Sequence, residues 1–424
     1  MGIYKKLCFC LLLVGIFAFV PFARASADGG RYFVKSTNGF WKSTLGARHV
    51  FDNGFSADLS DFQVRLAQLF GVDVEPVPIL QILPDSNLTL GNDLSGQGET
   101  PSPAASPMKV APPKVVKGPK GSVRYLPSDQ TPWGIETIYD NPAIASTSGG
   151  SGVNVAVLDT GVNINHPDLK GRIAQCKDFT NSRFPVVNNS CDDKNGHGTH
   201  IAGIIAADAG ADELGIYGVA PSAKLFAYKV CGANGSCYAD DIAMGLRVAA
   251  DQGANVINMS FGSDKDIPLI KDAVNYASSK VLLVAAAGND GPFPDSIDYP
   301  AAYAQVVAVG AVNDKWQVTN WSSRGINLST ELGVINDGDI EFAAPGEYIE
   351  STWNNGSYAI LSGTSMASPF VAGLAAKYWQ SATTDTVKTT RDLLRSSSFV
   401  TDILPIVGED NDSGFGLPHV PATP

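Results

Sequence analysis

Apolar positions along this chain change their spacing three times. Residues 7–22 form a mostly apolar run behind Lys5 and Lys6, followed by the small side chains of Ala25-Ser26-Ala27. A basic start, a short apolar stretch and a small-residue site read as an export signal over residues 1–27, cut before Asp28. The run is short for a membrane span, which argues against an uncleaved anchor. Residues 31–35 read as a strand. Residues 59–70 place Leu59, Phe62, Leu66, Leu69 and Phe70 at helical spacing, with Gly71 after them as a stop. Residues 77–83 read as another strand, so residues 28–83 form a small α/β unit.

Residues 84–124 break this pattern. Pro101, Pro103, Pro107, Pro112, Pro113 and Pro119 stand among Gly and Ser with few large apolar residues, the composition of an extended, flexible linker. From residue 125 to 424 a regular alternation takes over. Residues 154–158, 224–230, 255–259, 281–286 and 306–311 are short apolar, β-rich runs. Residues 240–251, ended by Gly253, and residues 267–279 are helical stretches between them. Unbroken apolar runs mark strands buried on both faces. Alternated with helices, they imply an α/β fold: a mostly parallel sheet with helices on both faces. Sites in such folds gather at the carboxyl ends of the strands, and Asp159 stands at the end of its run.

Composition narrows the function. Hydrophobic residues at 44% against 17% charged supply a sizeable core and exclude a disordered chain. A net charge of −12 with no long basic run argues against nucleic acid, because phosphate binding needs clustered Lys and Arg. Cys8 and Cys10 fall in the signal, leaving Cys176, Cys191, Cys231 and Cys237. An even number in an exported chain suggests disulfides. Three connectivities exist, and the pairing of sequence neighbours, 176 with 191 and 231 with 237, is the one expected.

Three segments carry candidate chemistry. Val155-Ala156-Val157-Leu158-Asp159-Thr160-Gly161 ends a buried strand on a carboxylate. Asn195-Gly196-His197-Gly198-Thr199-His200 sets a histidine, a base near neutral pH, at the head of an apolar helix. His197 and His200 also have the spacing of a metal pair, but no Glu lies between them in a His-Glu-x-x-His frame. Gly363-Thr364-Ser365-Met366-Ala367-Ser368-Pro369 puts a serine at the mouth of a helix, where unbonded N–H groups and the positive dipole end would favour an oxyanion. Each segment alone has an ordinary reading: a strand-end turn, a helix start, an N-cap.

Together, in the order Asp, His, Ser, the three blocks resemble those of the subtilisin-like serine proteases, over roughly residues 125–417. The resemblance implies a secreted serine endopeptidase with Asp159, His197 and Ser365 as its triad. It also implies that Asn289, in Ala287-Gly288-Asn289-Asp290-Gly291, joins the Ser365 backbone N–H as an oxyanion donor. Ser260, Phe261 and Gly262 on one side and Ala286 and Gly288 on the other would wall the substrate cleft. These walls are small or apolar, so broad specificity with an apolar or aromatic preference is expected. Asp129, Asp168 and Asp212 match positions where the family binds structural calcium through carboxylate oxygens. Residues 28–83 resemble the family's propeptide, which helps the enzyme fold and inhibits it. The intervening linker, 84–124, departs from the usual direct junction, so cleavage is expected near Leu83, near Arg124, or at both. Expected partners are protein or peptide substrates and the chain's own propeptide, with no nucleic acid, no membrane after signal cleavage, and a monomeric enzyme. The rival reading is an idle relative that only binds peptides. A lost triad member or oxyanion Asn would favour it, and none is lost.

Overall fold

Apolar side chains from both ends of the first described segment converge on a small sheet. The computed structural model describes residues 29–83, 114–117, 123–331, 333–403, 405 and 407–421, so the signal and most of the linker lie outside it. The chain divides between Val77 and Pro78 into two units. The first holds β1 (Gly30–Val34), α1 (Gly39–Leu45), β2 (Val50–Phe51), β3 (Gly54–Leu59), α2 (Asp61–Leu69) and β4 (Val74–Pro76). Its antiparallel sheet has the order β2-β3-β1-β4. Ser60 and Gln63 form a reciprocal capping box that starts α2. The helix forms as expected, but its buried side is not the expected one. Phe62 and Leu69 are 72% and 80% exposed, and the inward side is Val64 and Ala67. Small residues let the helix lie close against the sheet, and helical periodicity then turns Phe62 and Leu69 outward.

The second unit begins with β5 (Ile79–Ile82). The strand expected over 77–83 is thus present, as part of this unit, and its partners are given below. Inside the stretch expected as an open linker, β6 (Lys114–Lys117) pairs antiparallel with β7 (Val123–Leu126). Val115, Val116 and Val123 are β-branched, and the Pro-based reading of the segment passed over them. Then come α3 (Trp133–Ile138), β8 (Asn154–Asp159), β9 (Ile173–Asp178), β10 (Val187–Asn188), α4 (His197–Ala206), β11 (Lys224–Lys229) and β12 (Ser236–Tyr238). After these come α5 (Ala239–Asp251), β13 (Val256–Met259), β14 (Phe261–Gly262), α6 (Pro268–Ser278), β15 (Leu282–Ala286) and β16 (Val306–Val312). The last elements used here are β17 (Phe342–Pro345), β18 (Ile349–Thr352), β19 (Tyr358–Leu361), α7 (Thr364–Lys377) and α8 (Thr386–Leu394).

Eight of these strands form one sheet in the order β10-β9-β11-β8-β13-β15-β16-β17, parallel except at the β10–β9 edge. The two faces pack differently. Val155 and Val157 of β8 share a core with residues of α4, which is wholly buried, and α7, which is buried up to Ala376. On the other face, a Cβ at Gly245 of α5 would touch Leu158 at 3.4 Å. Strands covered on both sides need apolar residues at every position, which is the pattern the sequence carries. Among the described residues, no helix is long and apolar enough to cross a membrane.

Candidate active site

Asp159 ends β8 and is fully buried. His197 opens α4, and its Nδ1 lies 2.8 and 3.0 Å from the two Asp159 carboxylate oxygens. An Nδ1–H that donates to this carboxylate leaves Nε2 as the ring's basic nitrogen. The glycines on either side of the histidine are required. Gly196 has φ 118° and its Cβ position lies 2.3 Å from the Trp353 ring; a Cβ on Gly198 would fall 2.1 Å from the Gly161 carbonyl.

A residue that sequence reasoning did not single out holds this corner in place. Asp193 is buried and accepts five hydrogen bonds. Oδ1 receives them from Thr160 Oγ1 (2.9 Å), Asn195 N (3.0 Å) and Gly196 N (2.8 Å), and Oδ2 from Thr199 N (3.0 Å) and Thr199 Oγ1 (2.6 Å). It satisfies the open N–H groups at the start of α4 and ties them to Thr160, the neighbour of Asp159. His200 points elsewhere: its Nε2–H donates to the Ile349 and Ala359 carbonyls at 3.0 and 3.1 Å. Burial, with His197 nearby, pushes its pKa down to about 3, so it stays neutral.

Ser365 is the second residue of α7, and its Oγ donates to the Ser260 carbonyl at 3.1 Å. Ser260 follows β13, the strand next to β8, so this serine stands at the sheet end that carries Asp159. Ser260 Oγ donates back to the Ser365 carbonyl at 3.1 Å. Asn289 Oδ1 accepts from Thr364 N and Thr364 Oγ1, both at 3.0 Å, which fixes the direction of its amide. A Cβ on Gly363 would lie 3.4 Å from Asn289 Nδ2 and 3.7 Å from Ser365 N. Two N–H donors on different elements thus flank one small space, an arrangement able to hold an oxyanion.

The expected cleft segments meet an extended strand of the chain itself. β14 pairs antiparallel with β5, Phe261 opposite Ile82 and Gly262 opposite Gln81. The other edge of β5 pairs with β12. Phe261 is fully buried, so it offers the cleft its backbone and not its ring, and Ala286 is likewise buried. Both disulfides are the expected pairs. Cys176–Cys191 anchors the approach to Asp193, and Cys231–Cys237 closes the loop before β12.

Behind the two wall segments stands a second residue that their sequence did not announce. Asp298 is 3% exposed, and its Oδ2 lies 2.5 Å from the Cβ position of Gly262 and 2.9 Å from that of Gly288. Burial, then the Asp290 charge, then a hydrogen bond and charge from Asp264, push its carboxyl up to about 8. Carboxylate oxygens of Asp264, Asp290 and Asp298 lie within 4.8 Å of one another, close enough to hold a cation.

Of the residues expected to bind calcium, Asp168 and Asp212 share one partner, Arg124. Asp168 is fully buried and holds Arg124 Nη2 (2.7 Å), Tyr358 Oη (2.7 Å) and Ile216 N (2.9 Å). Asp212 holds Arg124 Nε at 3.1 Å. Asp129 caps Thr131 N, and Gln130 Nε2 donates to the Glu213 and Gly215 carbonyls. The cation joining Asp168 to Asp212 is therefore the Arg124 guanidinium.

A family model described as "Subtilase family" matches residues 150–416. The chain is 50% identical over 308 residues to the subtilisin of Bacillus sp. (strain TA39), covering 69% of this chain and 73% of that protein. Two solved structures, "S41 Psychrophilic Protease" and "Sphericase", match with TM-score 0.66 at 49% and 50% identity. Each match covers 69% of this chain and 99% of the other.

Proposed function

The chain belongs to the subtilase family and is a serine endopeptidase, and we propose that it is a secreted one, made as a precursor, with Asp159, His197 and Ser365 as its triad. The observation that carries this reading is the buried 2.8 Å pair of His197 and Asp159 at the sheet end where Ser365 heads its helix. Ser365 Oγ, which donates to the Ser260 carbonyl here, gives its proton to His197 Nε2 as it attacks the peptide carbonyl. Asp159 holds the imidazole in the accepting tautomer and stabilises its cation. The oxyanion lies between Ser365 N and Asn289 Nδ2. His197 then protonates the leaving amine, and water releases the acyl group by the same relay.

Substrate binds as an extended strand between β12 and β14, the position that β5 supports by example. In the precursor, residues 28–83 act as a propeptide that assists folding and blocks the cleft with Ile79–Ile82. A folding helper suits enzymes whose persistence rests on slow unfolding. Residues 84–124 link it to the catalytic part, with cleavage after Leu83, after Arg124, or at both. The small walls at Gly262, Ala286 and Gly288 support broad specificity. Calcium fits Asp168 and Asp212 only in place of Arg124. Cleavage after Arg124 frees that guanidinium to leave, and the Asp168 and Asp212 carboxylates would then hold the ion in a structural role.

The test expresses residues 28–424 as wild type and as Ser365→Ala, followed by intact mass and casein hydrolysis. Wild type is expected to shed its N-terminal part and digest casein, with the mass giving the cut sites, while Ser365→Ala stays whole and inert. A folded wild type that neither processes itself nor hydrolyses casein overturns the reading and favours an idle, peptide-binding relative.

A further inference from the structure

We propose that the pocket beside Ser365 takes a basic side chain, lysine or arginine, immediately before the cleaved bond, and that Asp298 is the residue that decides this. The proposal rests on the endopeptidase reading and names the substrate class of that same site.

The position of the carboxyl is the first argument. Gly262 comes two residues after Ser260, whose carbonyl holds Ser365 Oγ, and Gly288 comes one residue before Asn289. The Asp298 carboxyl touches the Cβ positions of both glycines. It therefore lies between the two cleft walls, next to the groups that would hold the reacting carbonyl. Any side chain at either glycine would collide with it, so the glycines leave room for this acid and for what comes to meet it.

The second argument is that the protein itself does not satisfy this group. Asp298 is 3% exposed, and its one side-chain partner is another acid, Asp264. Among the described residues none of Asp264, Asp290 and Asp298 forms an ion pair. The other groups around the pocket are spoken for. Ser323 Oγ accepts from Asp290 N, and Arg324, whose backbone bonds Ser296, turns its guanidinium to Asp412 at 2.9 Å. A buried carboxyl without a cation is costly. Asp264 and Asp290 are exposed and lie beside the buried Asp298, so a cation that arrives with the substrate would meet all three.

The third argument is the shape of the guest. A lysine has four methylenes for the gap between the Gly262 and Gly288 backbones and an ammonium for the Asp298 carboxyl. Arginine offers a planar fork for the same acid. Because burial and the two neighbouring acids raise the Asp298 carboxyl to about 8, this group is largely uncharged near neutral pH and anionic above it, while lysine keeps its charge until about pH 10.4. Below pH 8 neutral side chains, leucine or methionine, enter with less handicap. The preference for a cation grows as the pH rises.

The experiment uses self-processed enzyme and peptide anilides that differ only in the residue before the cleaved bond: Lys, Arg, Met, Leu and Phe. At pH 9, kcat/KM for Lys over Met is expected to exceed one. Asp298→Asn is expected to lower that ratio by about 10–100-fold, the effect of one charge-assisted hydrogen bond. Between pH 7 and 9 the ratio rises in wild type and stays flat in Asp298→Asn. Lys and Arg cleaved less well than Met at pH 9, or a ratio that Asp298→Asn leaves untouched, overturns the proposal while the endopeptidase reading stands. Wild type that cleaves none of the anilides and is not labelled at Ser365 by a sulfonyl fluoride takes both readings down. Should Asp298→Asn fail to fold, the wild-type Lys/Met ratio and its pH course decide alone.

Discussion

Replacing Asp193 by Asn is expected to loosen the start of α4 and, through it, His197. The substitution keeps one oxygen and converts the other to an NH2 group. The three donors on the Oδ1 side, Thr160 Oγ1, Asn195 N and Gly196 N, keep an acceptor, now uncharged. On the other side the Thr199 hydroxyl can rotate to accept, but Thr199 N, 3.0 Å from Oδ2, then faces another donor. One buried N–H left without a partner costs about 1–3 kcal/mol, and weakening the remaining bonds adds roughly 1, giving about 2–4 kcal/mol. The roughly 350 residues of the second unit, Pro78–Pro424, carry an unfolding entropy of about 0.7 kcal/mol/K, so Tm should fall by about 3–6 °C. The comparison belongs in a Ser365→Ala background, where self-digestion cannot distort the scan. In the active enzyme, kcat should fall by about 10–100-fold because small displacements of a catalytic group are costly, with KM within about threefold. The cleft strands β12 and β14 are built from other segments, which is why KM is spared. A Tm within 1 °C of wild type together with kcat within about twofold would refute the claim that this carboxylate positions His197.

Two further outcomes follow from the same structure. Asn289→Ala should lower kcat by about 10²–10³ with little change in KM, a size set by subtilisin itself and not worked from this geometry; active-site-titrated kinetics checks it. Glu341 is buried beneath Arg391 and Arg395, which bond it at 2.6–3.0 Å. Burial alone would raise its pKa, but the two guanidiniums outweigh burial and hold it below the usual carboxylate range. Its folded pKa being depressed, its contribution to stability is full above pH 4.3 or so and is lost as pH falls through the folded value. Glu341→Gln should cost about 3–5 kcal/mol at pH 7, or about 4–7 °C in Tm. It should also flatten the acid limb of a Tm-against-pH series, and an unchanged limb would count against this pairing.

Much of the fold around the candidate site could be read before any coordinates, for local reasons. The strands of the main sheet are buried on both faces, so their apolar runs are continuous and their positions hardly shift between sequence and structure. The glycines around His197 are forced by contacts with Trp353 and Gly161, and such close approaches leave a mark in the sequence. The cysteine pairs could be read as well, because each closes a short loop.

What the sequence by itself determined is therefore the layered α/β fold, the order of the strands' apolar runs, and which Asp, His, Ser and Asn stand at strand ends and helix mouths. What only the tertiary structure decided is which distant polar groups face one another. Asp298 carries no motif and follows Asn289 by nine residues, yet its carboxyl lies against both Gly262 and Gly288. Arg124 looked like a linker residue and instead joins Asp168 to Asp212. Asp193 became a hub because α4 begins where Thr160 passes. Periodicity and composition record whether a position is buried. They do not record which charge it is buried against, because that partner is brought close by the path of the chain and not by its spacing along it.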